Sequence, residues 1–102
     1  MDPICKVVRI ERGHIYISAM MYEEYFSDTK SAALFQRDQQ ICLIPLRQEA
    51  GGLLIKLKNI KGDRVIDANE FLRGIGITES WSGTAEVEWD HAQSVLNLSF
   101  NL

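Results

Sequence analysis

Two stretches of the chain carry the same succession of residue classes. Arg12-Gly13-His14-Ile15-Tyr16-Ile17-Ser18-Ala19-Met20-Met21-Tyr22 matches Lys61-Gly62-Asp63-Arg64-Val65-Ile66-Asp67-Ala68-Asn69-Glu70-Phe71 at a constant offset of 49. Each runs from a basic residue and a glycine through a polar residue and a strand to a capping side chain, an alanine and an aromatic one turn into a helix. No other feature constrains the fold as much, because each half then has to be one supersecondary unit that buries its apolar face on the other.

The remaining segments fill in both units. Residues 4–10 are rich in β-branched side chains and end at a Glu11-Arg12-Gly13-His14 turn, after which Ile15-Tyr16-Ile17 continues as strand. Ser18 is placed to cap a helix from Ala19 to Phe26, whose Met21, Tyr22, Tyr25 and Phe26 recur at helical spacing. Residues 31–36 and 40–46 flank Arg37-Asp38-Gln39 as a hairpin, and Pro45, which has no N–H to donate, predicts an edge or bulge in its second strand.

The second unit starts after the Gly51-Gly52 turn. Residues 53–60 predict one half-buried strand with Lys56 and Lys58 on the same face. Arg64-Val65-Ile66 forms a short strand, Asp67 with Glu70 resembles a capping box, and Gly74 with Gly76 closes the helix that follows. An insertion over Thr78–Gly83 precedes the strict alternation of residues 84–89, with Ala85, Val87 and Trp89 on one face and Glu86 and Glu88 on the other. A turn at 90–93 leads to a closing strand in which Leu96, Leu98 and Phe100 point one way.

A basic residue and a glycine opening a strand of the form Gly-x-Ile-x-Ile, then a helix, then a hairpin, resembles the AbrB/MazE/MraZ swapped-hairpin superfamily. Two such units in one chain, over residues 4–46 and 53–100, are most similar to its MraZ branch. The resemblance implies a mostly β fold with two short helices, in which tandem ββαββ units close a small swapped-hairpin-like barrel as one domain over residues 1–102. It also implies a DNA-binding transcriptional regulator whose basic side chains on exposed strands and loops reach phosphates and bases. The chain departs from that pattern in carrying His14 and Asp63 after the glycines, where the family has Arg or Lys. Ser18 and Asp67 follow the strands where it has Pro.

Charge qualifies the functional expectation. The net charge is −3, but residues 1–65 carry ten Lys/Arg against eight Asp/Glu, whereas residues 66–102 carry Arg73 against six acids. A basic field over the whole molecule is therefore excluded, and any contact with nucleic acid has to be local. The set with that promise is Arg9, Arg12, Lys56, Lys58, Lys61 and Arg64, which share a surface if strands 4–10 and 53–60 are neighbours. The bland reading of the same residues is a solubilising strand face.

A second functional class fits as well: a protein-interaction or assembly module of the same fold without DNA binding, for which Trp81 in the polar Glu79–Gly83 loop is the candidate interface anchor. The partners expected are thus duplex DNA, or a protein or second copy. No membrane, small-molecule substrate, metal or cofactor is expected. His14 and His91 stand alone, Glu23-Glu24 and Glu86/Glu88 are solvated pairs, and no nucleophile, base and orienter can be assembled, so no enzyme is expected. Cys5 and Cys42 sit in apolar runs without metal or redox spacing and read as reduced, buried thiols in a cytoplasmic protein.

Overall fold

A computed structural model describes residues 7–47 and 51–99 of the chain. Alternation sets its first hairpin. In β1 (Val7–Glu11) and β2 (His14–Ile17), Val8, Ile10, Ile15 and Ile17 are buried, which places Arg9 and Tyr16 on the opposite face. The two strands meet through Arg12 and Gly13, both in left-handed backbone at φ of 53° and 77°.

Helix α1 (Ala19–Tyr25) begins as the sequence predicts, with the Met21 N–H donating to Ser18 Oγ at 3.2 Å. Met21, Tyr22 and Phe26 are buried. The segment after the helix keeps its polar groups paired inside: the Tyr22 hydroxyl donates to the Thr29 carbonyl and the Thr29 hydroxyl to that of Phe26. Strands β3 (Ser31–Arg37) and β4 (Gln40–Leu46) then form the expected hairpin over a two-residue turn.

Six elements follow among the described residues of the second half: a split strand, β5 (Leu53–Leu54) and β6 (Lys56–Leu57), then β7 (Arg64–Asp67), helix α2 (Asn69–Gly74), β8 (Ser82–Asp90) and β9 (Val95–Ser99). Pro45 lies beyond the reach of β9, which pairs only with Gln40 to Leu43 of β4. That strand is central along its first half and an edge along its second, so the missing N–H is tolerated there.

All nine strands of the described residues belong to one antiparallel sheet in the order β5-β3-β4-β9-β8-β1-β2-β7-β6. Because β5 and β6 are joined through Ile55 alone, the two ends of the sheet meet in one short segment and the sheet nearly closes into a barrel. This corrects the single strand expected over residues 53–60. Leu53 and Leu54 pair with β3 whereas Lys56 and Leu57 pair with β7, so the chain breaks between two partners. Ile55 is buried at the break, and its N–H donates to the Lys30 carbonyl at 2.8 Å.

Round the barrel, the hairpins come alternately from the first and second half of the chain: β3-β4, β9-β8, β1-β2, then β7-β6. Each half therefore completes the other's sheet, and the interior is filled from both, with Ile10, Ile15, Ile41 and Leu43 beside Ile66, Ala85, Leu96 and Leu98. Burial of each large aliphatic side chain contributes roughly 1.5–3 kcal/mol.

The two glycine turns hold the start of the opposite half's helix. The Ala68 N–H, just ahead of α2, donates to the Gly13 carbonyl at 2.9 Å, and the Ala19 N–H at the start of α1 donates to Asp63 Oδ1 at 2.9 Å. A capping box at Asp67 and Glu70 is accordingly not formed: Ala68 occupies the cap position without a side-chain bond, while Asp67 Oδ1 accepts from the Asn69 N–H. At the other end of α2 it is Gly76, at φ 92°, that takes the left-handed conformation rather than Gly74. Cys42 is buried and pairs with Asn97, its Sγ 3.2 Å from Oδ1. Cys5, Phe100 and the first residues of the predicted 4–10 strand lie outside the described residues. No helix among those described is long and apolar enough to cross a membrane.

Candidate nucleic-acid interface

The outward face of β1, β2, β7 and β6 collects most of the basic side chains singled out from the sequence. Register defines one row across it: Arg9 opposite Tyr16, Tyr16 opposite Val65, and Val65 opposite Lys56. Strands β1 and β6 are thus not neighbours, as sharing a surface had seemed to require. Two strands separate them, which sets Arg9 and Lys56 about 14 Å apart along the sheet.

Tyr16 is the centre of this face. The Arg9 guanidinium lies 4.3 Å from its ring centroid and the Lys58 ammonium 5.8 Å, so two cations from opposite halves of the chain rest on one aromatic ring. Arg9, Lys56 and Lys58 are exposed and Tyr16 half-buried. A hollow of about 300 Å³ lies among Arg9, Tyr16, Ser18, Lys58 and Asp63.

Asp63 is the acid of this hollow, and its carboxylate is already occupied. Oδ2 accepts from the Asn59 side-chain amide at 3.0 Å and Oδ1 from the Ala19 N–H. The Asn59 bond, then the Ala19 N–H, hold its pKa below the ordinary carboxylate value against a small opposing effect of burial, and Lys61 and Lys58 add to the lowering. Asp63 also fixes the turn that carries the lysines: its carbonyl accepts from the Lys58 N–H at 2.7 Å, while Asn59 Oδ1 accepts from the Lys61 N–H.

Arg64 and Arg12 stand apart from this group. Arg64 turns away from the outer row, its guanidinium 4.0 Å from the Tyr22 ring centroid and its Nε–H donating to the Gly62 carbonyl. Arg12 is exposed at the far end of β1, beside His14, whose Nδ1 lies 2.9 Å from the Arg12 carbonyl. Glu11 and Asp67 flank His14 in the register at that same end, so the basic character of the face is concentrated toward Lys58 and the 59–62 turn.

Tyr16 was missed as a site residue from the sequence, although a signal existed. An aromatic between two isoleucines in a strand has to face away from the side they bury. Trp81 is half-buried and folds back over the chain, so that a methyl group at Gly83 would meet its ring at 3.0 Å. Glu23 and Glu24 are exposed on the outside of α1, and no group of three or more His, Cys, Asp or Glu among the described residues is arranged to hold a metal ion. Another hollow, of about 790 Å³, lies between β3 and the start of α2 and is bounded by Ala32, Leu34, Leu53, Ala68 and Phe71. No protein-family model, curated protein or solved structure matches the chain.

Proposed function

We propose that this protein is a non-catalytic, DNA-binding transcriptional regulator of the AbrB/MraZ kind, formed by two tandem copies of one ββαββ unit, and that it meets duplex DNA with the outer face of β1, β2, β7 and β6. The observation that carries the proposal is the pair of cations on Tyr16, Arg9 from the first half and Lys58 from the second. A half-buried ring flanked by two cations holds their charges in place, and Lys56 extends the same row. Alternation of hairpins from the two halves round the barrel supports the tandem-copy reading and the family resemblance with it.

In this account Arg9, Lys56, Lys58 and Lys61 contact phosphates, Arg12 reaches the duplex only from the far end of the face, and Arg64 positions α1 through Tyr22. Four phosphate contacts give a fall of log affinity with log salt of slope about −3.6. Fluorescence anisotropy with a labelled duplex tests this: Lys56→Glu with Lys58→Glu removes at least about two units of slope and abolishes binding at near-physiological salt. Absence of duplex binding by the unaltered protein at low salt overturns the proposal.

A second reading, an assembly or protein-interaction module, draws on Leu54, Leu57 and Ile60, which are exposed along one segment. It expects concentration-dependent association, weakened by Trp81→Ala, and no salt-steep affinity for duplex.

A further inference from the structure

Strand β3 has one long side that no described strand covers. Against β4 it is paired without interruption from Ser31 to Arg37, but on its other side β5 reaches only Ser31 and Ala32. The Ile55 N–H donates to the Lys30 carbonyl, so Lys30 and every second residue after it present their N–H and C=O toward the β5 side, while the residues between them bond to β4. Leu34 and Gln36 therefore aim their backbone groups along the open side, past the end of β5. The hollow of about 790 Å³ opens beside the first part of this side, with Ala33 and Leu34 in its wall together with Asp67, Glu70 and Phe71.

Exposed sheet edges are templates for a further strand unless something blunts them. At the ends of the sheet, β5 and β6 span only Leu53–Leu54 and Lys56–Leu57. The open half of β4 carries Pro45, whose place opposite Ala32 turns its nitrogen, which bears no hydrogen, away from β3. Residues 33–37 have neither device: they contain no proline and keep an unbroken register with β4.

A second copy of this edge is complementary to the first. Antiparallel pairing about a two-fold axis at Phe35 sets Leu34 of each copy opposite Gln36 of the other, and both residues present backbone groups to the open side, so the ladder closes without a slip. The same register brings Phe35 against Phe35 on the outer face. It also sets Arg37 of one copy opposite Ala33 of the other, in the wall that holds the exposed Asp67 and Glu70. Arg37 is itself exposed, its guanidinium 5.4 Å from the centroid of its own Phe35.

We propose that β3 is a self-association edge, through which two copies of the chain pair antiparallel over residues 33–37 about an axis at Phe35 and join their sheets. The edge lies outside the strands of the proposed DNA face and does not rest on that function.

Sedimentation velocity of the whole chain reads the association, and cysteine cross-linking in a Cys5→Ser background reads the register. The unaltered protein should pass reversibly from monomer to dimer below about 1 mM. Gln36→Pro removes an N–H from the open side and spares the β4 ladder; acting once in each copy, it should weaken the dimer about tenfold or more. Residues facing each other in a non-hydrogen-bonded pair have Cα atoms about 4.5 Å apart, within disulfide range. In a glutathione redox buffer the Phe35→Cys variant should link to itself, and Ala33→Cys should link to Arg37→Cys when the two variants are mixed. Arg37→Cys alone, about 14 Å from its equivalent in the other copy, should not. The mixed pair keeps Phe35 and decides the register if Phe35→Cys fails to fold. The proposal is overturned if the protein stays monomeric to about 1 mM, if folded Gln36→Pro dimerises as tightly as the unaltered chain, or if Arg37→Cys links to itself as readily as to Ala33→Cys.

Discussion

Three glycine-to-alanine substitutions separate backbone strain from the seating of α2. Gly13, Gly51 and Gly62 all have positive φ, at 77°, 88° and 101°. An alanine in left-handed backbone costs about 1–2 kcal/mol at any of them. At Gly51 a methyl group meets nothing within 4 Å among the described residues, so Gly51→Ala serves as the reference for strain. At Gly62 the methyl approaches the Ala19 Cβ to 3.3 Å, a contact that yields by a few tenths of an ångström. At Gly13 it meets Asn69 Cγ at 2.7 Å and the Asn69 Cα at 3.1 Å, so the first turn of α2 has to move. Overpacking of that kind costs about 1–3 kcal/mol more, which brings Gly13→Ala to about 2–5 kcal/mol.

Urea unfolding of the three variants reads these costs, and thermal midpoints fall by roughly 4–8 °C per kcal/mol in a domain of this size. Strain alone ranks Gly13 as the mildest, because its φ is nearest the left-handed well at about +57°. Contact with the opposite half's helix ranks it the most severe. A Gly13→Ala variant no less stable than Gly51→Ala would refute the seating of α2 on the first glycine turn.

Two further predictions concern single side chains. Because the folded pKa of Asp63 lies below its ordinary value of 3.8, its contribution to stability is fully present above that pH and is lost as pH falls through the folded pKa. The stability gap between the unaltered protein and Asp63→Asn, measured by urea unfolding, should therefore close in strong acid; an unchanged gap from neutral pH to pH 2 would contradict this. Cys42, with no exposed surface, should react with a thiol reagent only as fast as the barrel opens when Cys5 is replaced by Ser. Labelling as fast in buffer as in denaturant would contradict that.

Local patterns in the sequence carried most of the fold. Strict alternation placed Ala85 inside and Glu86 and Glu88 outside, the Ser18 hydroxyl marked the start of α1, and Arg37-Asp38-Gln39 marked the hairpin. What escaped was set by distant partners. The break at Ile55 exists because its two flanks pair with strands at opposite ends of the sheet, and nothing in Leu53–Leu57 encodes that. The cap of α2 is another case, since the Ala68 N–H is taken by Gly13, far away in sequence.

The candidate site was legible in its residue types but not in its grouping. Six basic residues were visible as a set. Which of them converge depends on the register that puts Tyr16 between Arg9 and Lys58, and on the Tyr22 ring that draws Arg64 away.

The DNA-binding face is tested most directly by mapping amide NMR shifts on addition of a short duplex at about 50 mM salt. The account predicts that the largest changes fall on Arg9, Tyr16, Lys56, Lys58 and Lys61, with Glu86 to Trp89 unmoved. Changes centred on β8 and β9, or none at all, would contradict it.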